Sequence, residues 1–389
     1  MCNAYILAIP QLFARFIVWL LPCLCKHKLY YKANLVVQLQ TCRSKKGGYT
    51  TGDGVREINT RQTFYTFLGL LETQKGNVTK ALADDIELYT QRLANDMSTK
   101  GQVPCKYVKG FFGTEIPKYR SDRTETQVVD SNMFYIILLW LLNDYRPNTV
   151  NTLYLSAQRA FRFLENRIEN DIFKEPIDAS WETTRLHDGY LLLTNVLMIK
   201  TIRSMEMISL VNSDNRIQEK CRILHDKFIQ KWQPELYRTQ EVLPRILAVY
   251  WNIVPENFLM SFNQELQNIW IPLRTQGPIQ LTFTQDAHFK GITDIHSKVI
   301  WPFVGFLWII TLAKRYKKDL ANSWWDSYME FHSPRTLHNT YCAKTGKPIR
   351  RAFFRSIGGH AATISLCFAA KHSLKILDIE LQNIEKGIV

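Results

Sequence analysis

A chain of 389 residues that is 46% hydrophobic and 12% aromatic can bury a large core; no stretch is low in complexity, and no motif recurs at the period of about 20–50 residues that marks a solenoid. The formal net charge of +14 and pI near 9.3 raise nucleic acid or an anionic membrane as partners, but the cations are dispersed. The denser runs, Arg43-Ser-Lys-Lys46, Lys314-Arg-Tyr-Lys-Lys318 and Arg350-Arg351, lie far apart and fall at predicted helix ends, where cations complement the helix dipole, so no specific nucleic-acid footprint is expected. Eight cysteines at irregular spacing, with no CxxC pair, argue against a zinc ribbon, a redox dithiol and a disulfide framework; reduced thiols in the cytoplasm fit best.

The chain begins with an apolar segment, Tyr5 to Cys25, interrupted by Pro10, Gln11 and Arg15. A central Arg is costly in lipid, and the positive charges Lys26, Lys28 and Lys32 follow the segment, the reverse of a secretory signal. It reads as a helix lying in a membrane interface or packed on the domain. Residues 1–28 are therefore expected to be an N-terminal segment with peripheral membrane contact through residues 4–28, ahead of one domain over 29–389. Cys23 and Cys25 within it read as small apolar fillers, with acyl carriers as the alternative.

Apolar residues at three- and four-residue spacing predict helices over 30–43, 61–74, 78–97, 131–144, 149–169, 190–210, 214–232, 240–250, 256–269, 297–317, 320–330 and 356–376, and alternating strand patterns are nearly absent. The helices pair off. One member of a pair is apolar all round, such as Phe134 to Leu142 or Ile300 to Ile310, and its partner is amphipathic, such as Val150 to Arg167 or Arg216 to Trp232. A helix apolar on every side belongs in an interior and a one-sided helix outside it, so an inner ring wrapped by an outer ring follows. About six such hairpins make an all-α (α/α)6 toroid. The linkers ahead of the inner helices, Lys100 to Asp130, Phe173 to Gly189, Leu273 to His296 and Phe331 to Ser356, are longer than the hairpin turns and richer in charge, Gly, Pro and aromatics, which places the functional site at that end.

Hydrolysis of a glycosidic bond with inversion needs an acid on the leaving oxygen and a carboxylate base roughly 6.5–9.5 Å away to activate water. Asp130 stands at or near the N-cap of the most apolar inner helix. The residues alone admit two readings, a helix cap or a catalytic acid.

Val129-Asp-Ser-Asn-Met-Phe-Tyr-Ile-Ile-Leu-Leu resembles the Val-Asp-Ser-Gly, aromatics and Ile-Ile-Leu-Leu of neutral/alkaline invertases, whose Asp is the general acid. Gly47-Gly-Tyr with Asn59-Thr-Arg-Gln-Thr-Phe64 is similar to the Gly-Gly and Trp-x-Arg-Asp-x-Phe elements of the wider six-hairpin glycosidase superfamily, which includes the amylo-α-1,6-glucosidases of glycogen debranching. Asp178-Ala-Ser-Trp-Glu182 with Gly189-Tyr-Leu-Leu-Leu-Thr-Asn195 resembles the Ser-Trp-x-Asp and Gly-x-x-x-x-Thr-Asn elements of bacterial debranching-type members, and His296-Ser-Lys-Val-Ile-Trp-Pro302 resembles their His-Asn-Gly-x-x-Trp-Pro. Glu330, then Lys344-Thr-Gly-Lys-Pro348 and a final apolar helix, resembles the closing region that supplies the base. The likeness runs from about residue 35 to 375 and rests on the shared order of short elements.

The resemblance implies an inverting glycosidase acting on an α-glucoside or a sucrose-like sugar, with Asp130 as acid, Glu330 as base, and Arg61, Gln62, Trp181, Glu182, His296 and Trp301 lining the pocket; no metal or organic cofactor is needed. Two departures stand against it. Gln62 replaces an aspartate that would grip sugar hydroxyls, and Lys298 stands where the family has glycine, which leaves a catalytically silent carbohydrate-binding or interaction protein as the alternative. Trp181 and Trp301 read equally as sugar platforms or core, Glu182 as a pocket carboxylate or a solvated turn, and His296 as a hydroxyl contact or a buried histidine. Asp122 and Glu125 are rival acids that read more simply as loop charges. His332, His338 and Cys342 match no zinc spacing.

Overall fold

The computed structural model describes residues 35–376 apart from 53, 54, 56, 111–113, 121–126, 176–190, 240, 269–298, 332–336, 339–340, 343–347, 349, 352–353 and 356–359. The apolar N-terminal segment, residues 1–28, lies outside the described residues, as do Asp122, Glu125 and Lys298. In chain order the helices are α1 (Leu35–Cys42), α2 (Thr60–Thr73), α3 (Lys80–Asn95), α4 (Asp130–Leu142), α5 (Pro147–Thr152), α6 (Tyr154–Glu165), α7 (Leu192–Val211), α8 (Asn215–Arg238), α9 (Val242–Tyr250), α10 (Glu256–Asn268), α11 (Pro302–Lys314), α12 (Lys318–Phe331) and α13 (Ala361–Leu374).

The chain forms an (α/α)6 toroid. Helices α2, α4, α7, α9, α11 and α13 make the inner ring: each packs on the next, and α13 closes on α2. Their burial follows from composition. In α4 every residue from Asp130 to Leu139 is buried, and in α11 every residue from Pro302 to Ala313. The outer α3, α6 and α8 bury one face only, through residues such as Ile86, Phe161 and Phe228. Ring closure depends on Gly69 in α2. A Cβ there would meet the backbone carbon of Ser365 at 2.6 Å and the backbone nitrogen of Leu366 at 2.7 Å, so only glycine lets α2 and α13 approach so closely. Among the described residues no helix is long and apolar enough to cross a membrane.

The structure corrects the sequence expectations in three places. The helix expected over 149–169 is two, α5 and α6, broken at Leu153, and its tail is a hairpin of β4 and β5 (Ile168–Glu169 with Ile172–Phe173). Asn170 and Asp171 at its tip have φ of 53° and 61°, a left-handed turn that these two residue types tolerate and a helix does not. The linkers carry other short strands that too few alternating residues betray: Glu57–Asn59, Lys106–Lys109 and Glu115–Lys118 form a three-stranded antiparallel sheet, and Val299–Ile300 pairs with Tyr341–Cys342. Arg350-Arg351, expected at a helix end, is a two-residue strand paired with Phe354–Arg355. These strands lie in the connections that lead into inner helices, so they rim the end of the barrel where the inner helices begin.

Candidate active site

The N-termini of neighbouring inner helices set the site. Asn59 caps α2, its side chain accepting from the Gln62 backbone N–H at 3.2 Å, and this fixes Arg61 in the first turn. Asp130 is the first residue of α4. It does not cap that helix, as its residue type had suggested: the N-cap position belongs to Val129, which makes no side-chain cap. The carboxylate instead takes the Arg61 guanidinium, with Nε donating to Oδ2 at 2.7 Å and a terminal nitrogen donating to the same oxygen. The pair is buried, with Arg61 at 12% and Asp130 at 4% side-chain exposure.

The neighbours of Asp130 anchor it. Ser131 Oγ donates to the Val103 carbonyl at 3.0 Å. Asn132, fully buried, accepts from the Val103 N–H at 3.0 Å and donates to the carbonyls of Gly101 at 2.8 Å and Ala160 at 3.2 Å. Asp-Ser-Asn therefore ties the α4 entrance to the preceding linker and to α6. Beneath it the rings of Phe64 and Phe134 stand 4.7 Å apart, Tyr65 and Phe134 5.8 Å, Tyr65 and Phe303 5.5 Å, and Phe303 and Trp301 6.1 Å. This aromatic floor joins α2, α4 and α11 and keeps water from the Asp130 carboxylate.

A second carboxylate, Glu175, reaches the same region. It follows the β4–β5 hairpin and is fully buried. The Thr194 hydroxyl, in the first turn of α7, donates to Glu175 Oε2. The next residue, Asn195, accepts from the Phe173 N–H at 2.9 Å and donates to its carbonyl at 3.3 Å, holding the strand that carries Glu175. The Thr-Asn dipeptide thus positions a carboxylate by side-chain bonds to the strand ahead of it. Burial raises the Asp130 proton affinity above the ordinary carboxylate range; the Arg61 charge and hydrogen bond oppose this, and the Glu175 charge adds to it. A carboxyl group so placed can hold a proton nearer neutral pH than a free aspartate does.

Of the residues expected at the site, Arg61 and Asp130 are in direct contact. Gln62 lies beside them, half-buried. Trp301 is the N-cap of α11 and 6% exposed, a wall of the aromatic floor with its face largely covered. Glu330 falls in the last turn of the outer helix α12, its side chain outside the described residues, and Trp181, Glu182 and His296 also lie outside them. Glu175 was not anticipated; its only sequence signal is a charged residue before Pro176 at the edge of the Asp178 to Glu182 element. His360 was also missed. It caps α13, with Nδ1 2.7 Å from Thr363 Oγ1, and burial lowers its pKa to about 3, so it is a neutral imidazole. Among the described residues no three His, Cys, Asp or Glu side chains converge as a metal site requires.

No family model matches the sequence, and no curated protein matches it. Solved structures do match in fold. A GH63 mannosylglycerate hydrolase from Thermus thermophilus in complex with glucose superposes with a TM-score of 0.61 at 9% identity, over 86% of this chain and 98% of that one. A glycosidase variant in complex with glucose gives 0.62 at 10% identity, over 91% of this chain and all of the other. A rhamnosidase from Klebsiella oxytoca with rhamnose bound gives 0.63 at 12% identity, over 90% of this chain; the chain spans 64% of that enzyme. At these identities the likeness establishes the six-hairpin (α/α)6 fold.

Proposed function

We propose that the protein is an inverting glycoside hydrolase acting on an α-glucoside or a sucrose-like sugar. Asp130 protonates the leaving oxygen, and Glu330 activates water from the opposite face. The observation that carries this reading is the buried Asp130 carboxyl at the entrance of the inner ring, its proton affinity raised by burial and by Glu175. The structural neighbours solved with glucose or rhamnose bound support a carbohydrate as the ligand. Arg61 orients Asp130, Gln62 and Trp301 shape the pocket wall, and Trp181, Glu182 and His296 complete it from the linkers. The amylo-α-1,6-glucosidase-like or invertase-like character rests on the sequence elements alone. The same reading places the protein in the cytoplasm, with residues 4–28 in peripheral contact with a membrane; fractionation with and without those residues tests that part.

A second reading is favoured by one specific contact. Arg61 bonded twice to Asp130 favours the charged carboxylate against the effect of burial, which suits a sugar-binding toroid without catalysis, and Gln62 removes a charge the family uses. Turnover of a panel of glucosides and sucrose by the wild type, Asp130→Asn and Glu330→Gln separates the two. Turnover lost in both variants supports the hydrolase. Equal turnover in all three removes these residues from the mechanism, and sugar binding by calorimetry with no turnover in any of them supports the binding protein.

A further inference from the structure

The end of the barrel opposite the entrance, where the inner helices finish, presents a joined outer face. Glu72, near the end of α2, accepts from the Tyr250 hydroxyl at the end of α9 and from Lys314 Nζ at 2.7 Å at the end of α11. Arg315 donates to the Val249 carbonyl at 3.2 Å, which ties the turn after α11 to α9, and α9 packs on α7. In the first turns of α6 the Tyr154 hydroxyl and the Gln158 amide donate to Asp214, at 2.8 and 3.1 Å, in the turn after α7.

Apolar side chains stand out of this face. Tyr316, in the turn after α11, is 91% exposed, and Leu155, next to Tyr154, is 71% exposed. Leu210 and Val211, the last two residues of α7, are exposed as well. Tyr316 also has a φ of 59°, the left-handed position after a helix that Gly or Asn usually fills. Packing does not account for an aromatic ring there, and backbone preference opposes it.

The charges of the same face are mainly basic. Its acids are largely taken up: Glu72 by Lys314, Asp84 by Arg146, Glu256 by Lys317, and Asp214 by its bonds to α6. Lys75, Lys80, Lys318 and Lys375 are exposed with no ion pair among the described residues, against Asp144 and Asp319 on the acidic side. Cations after an inner helix offset its carbonyl ends. Lys80 and Lys318 do not, because each is the first residue of an outer helix, α3 and α12, where the dipole disfavours a positive charge.

The direction of α1 adds an independent observation. The carbonyl of its last residue, Cys42, accepts from the Thr50 N–H at 2.8 Å, and Thr50 bridges Ile58 in the strand that leads into α2 at the rim. Leu35 therefore begins α1 on the side of the base, and the chain ahead of it, with the apolar stretch Tyr5 to Cys25, joins the domain from that side.

We infer that the base lies on an anionic phospholipid surface, with Tyr316, Leu155, Leu210 and Val211 among the headgroups and the unpaired lysines against the lipid charge. Tyrosine favours the membrane–water interface, and each lysine near an anionic leaflet is attracted to it, which offsets the unfavourable placement of Lys80 and Lys318. The entrance that holds Asp130 then faces away from the lipid and stays open to its ligand. The inference rests in part on the membrane contact proposed for residues 4–28 and assigns the domain face that accompanies it.

Co-sedimentation of the full chain with phosphatidylcholine vesicles, with and without phosphatidylserine, tests the inference. Binding that requires phosphatidylserine is expected, weakened about tenfold or more by Lys75→Glu combined with Lys318→Glu. Tyr316→Gly also weakens it while keeping or raising Tm, since glycine suits the left-handed turn, so its loss of binding is not a loss of fold. Lys231→Glu, exposed on α8 roughly 24 Å from that helix's start at the base, keeps wild-type binding. Hydrogen exchange of the wild type on vesicles slows at residues 212–214 and 315–317; slowing at the Lys106–Lys109 and Glu115–Lys118 strands instead overturns the orientation. Deletion of residues 4–28 separates the two proposals. Binding lost on deletion but kept in the base variants overturns the face and leaves the segment, whereas binding kept on deletion but lost in the base variants supports the face and removes the segment. Equal binding to both vesicles overturns the inference, and no binding to either overturns both proposals. A wild-type dimer that Tyr316→Gly dissociates, without vesicle binding, assigns the face to a second copy and overturns the inference.

Discussion

Removing the Arg61 guanidinium while keeping a polar side chain, Arg61→Gln, isolates the electrostatics of the entrance. Asp130 is buried and its partner Arg61 largely so, and Glu175 is close enough to repel the Asp130 charge. Deleting one partner of a buried pair leaves the other uncompensated, which costs about 3–5 kcal/mol. With 389 residues and an unfolding entropy of about 2.1 cal/mol/K per residue, this is a fall in Tm of roughly 4–6 °C. The loss depends on pH in a definite sense. Asp130 binds its proton more tightly in the fold than in the unfolded chain, so the stability this group contributes is present below the unfolded carboxylate pKa and lost as pH rises through the raised folded value. Without Arg61 opposing that shift, the deficit is larger at pH 8 than at pH 5, where Asp130 protonates at little expense. Adding Asp130→Asn in the same chain removes the stranded charge and restores most of the stability, a coupling that a double-mutant cycle of urea midpoints measures. A deficit equal at the two pH values, or a double variant no more stable than Arg61→Gln alone, refutes the reasoning.

Three further outcomes follow from single positions. Asn132→Ala leaves the Val103 N–H and the carbonyls of Gly101 and Ala160 without their side-chain partner, and a loss of about 3 kcal/mol or more is expected in urea unfolding; a loss below about 1 kcal/mol would show that the linker re-pairs elsewhere. Gly69→Ala gains about 1 kcal/mol of helix propensity yet drives a Cβ into the backbone of α13, so a net loss of about 1–3 kcal/mol is expected, and a neutral or stabilised variant contradicts the close seam. His360→Asn keeps a cap for Thr363 while removing an imidazole whose folded pKa lies near 3. The wild type holds that contribution above the unfolded histidine value of about 6.5 and loses it as pH falls, so its stability declines more steeply between pH 7 and 4 than the variant's; parallel curves would show that His360 does not stay neutral.

The architecture was legible because inner and outer helices differ in a property that a sequence displays directly. Residues 134–142 and 302–313 are apolar on every side, which only an interior accepts, and the order of such helices fixed the ring. The site was legible only in part. Asp130 and Ser131 carry the residue types of a cap, and a cap is a local structure, whereas their observed partners Arg61 and Val103 are distant in the chain. Asn132 stands where the invertase-like pattern has glycine, and nothing in the string indicates that its amide joins the linker to α6. Glu175 was invisible for a related reason. Its place is set by Thr194 and Asn195, nineteen and twenty residues later, and the pairing of the hairpin with the start of α7 is a tertiary fact with no periodicity.

The direction of the inner helices links the two ends of the molecule. Each inner helix begins at the rim of strands and ends at the base, so six helix N-termini, each equivalent to about half a positive charge, surround the entrance. The placement of charged side chains follows this field. Asp130 occupies the first turn of α4, while Lys314 ends α11 and Lys371 and His372 end α13. The field at the entrance favours the charged form of Asp130, as Arg61 does, whereas burial and the Glu175 charge favour the protonated form. At the base Glu72 departs from the rule, an acid in the last turn of α2, and the Tyr250 hydroxyl and Lys314 Nζ compensate its charge by donating to it.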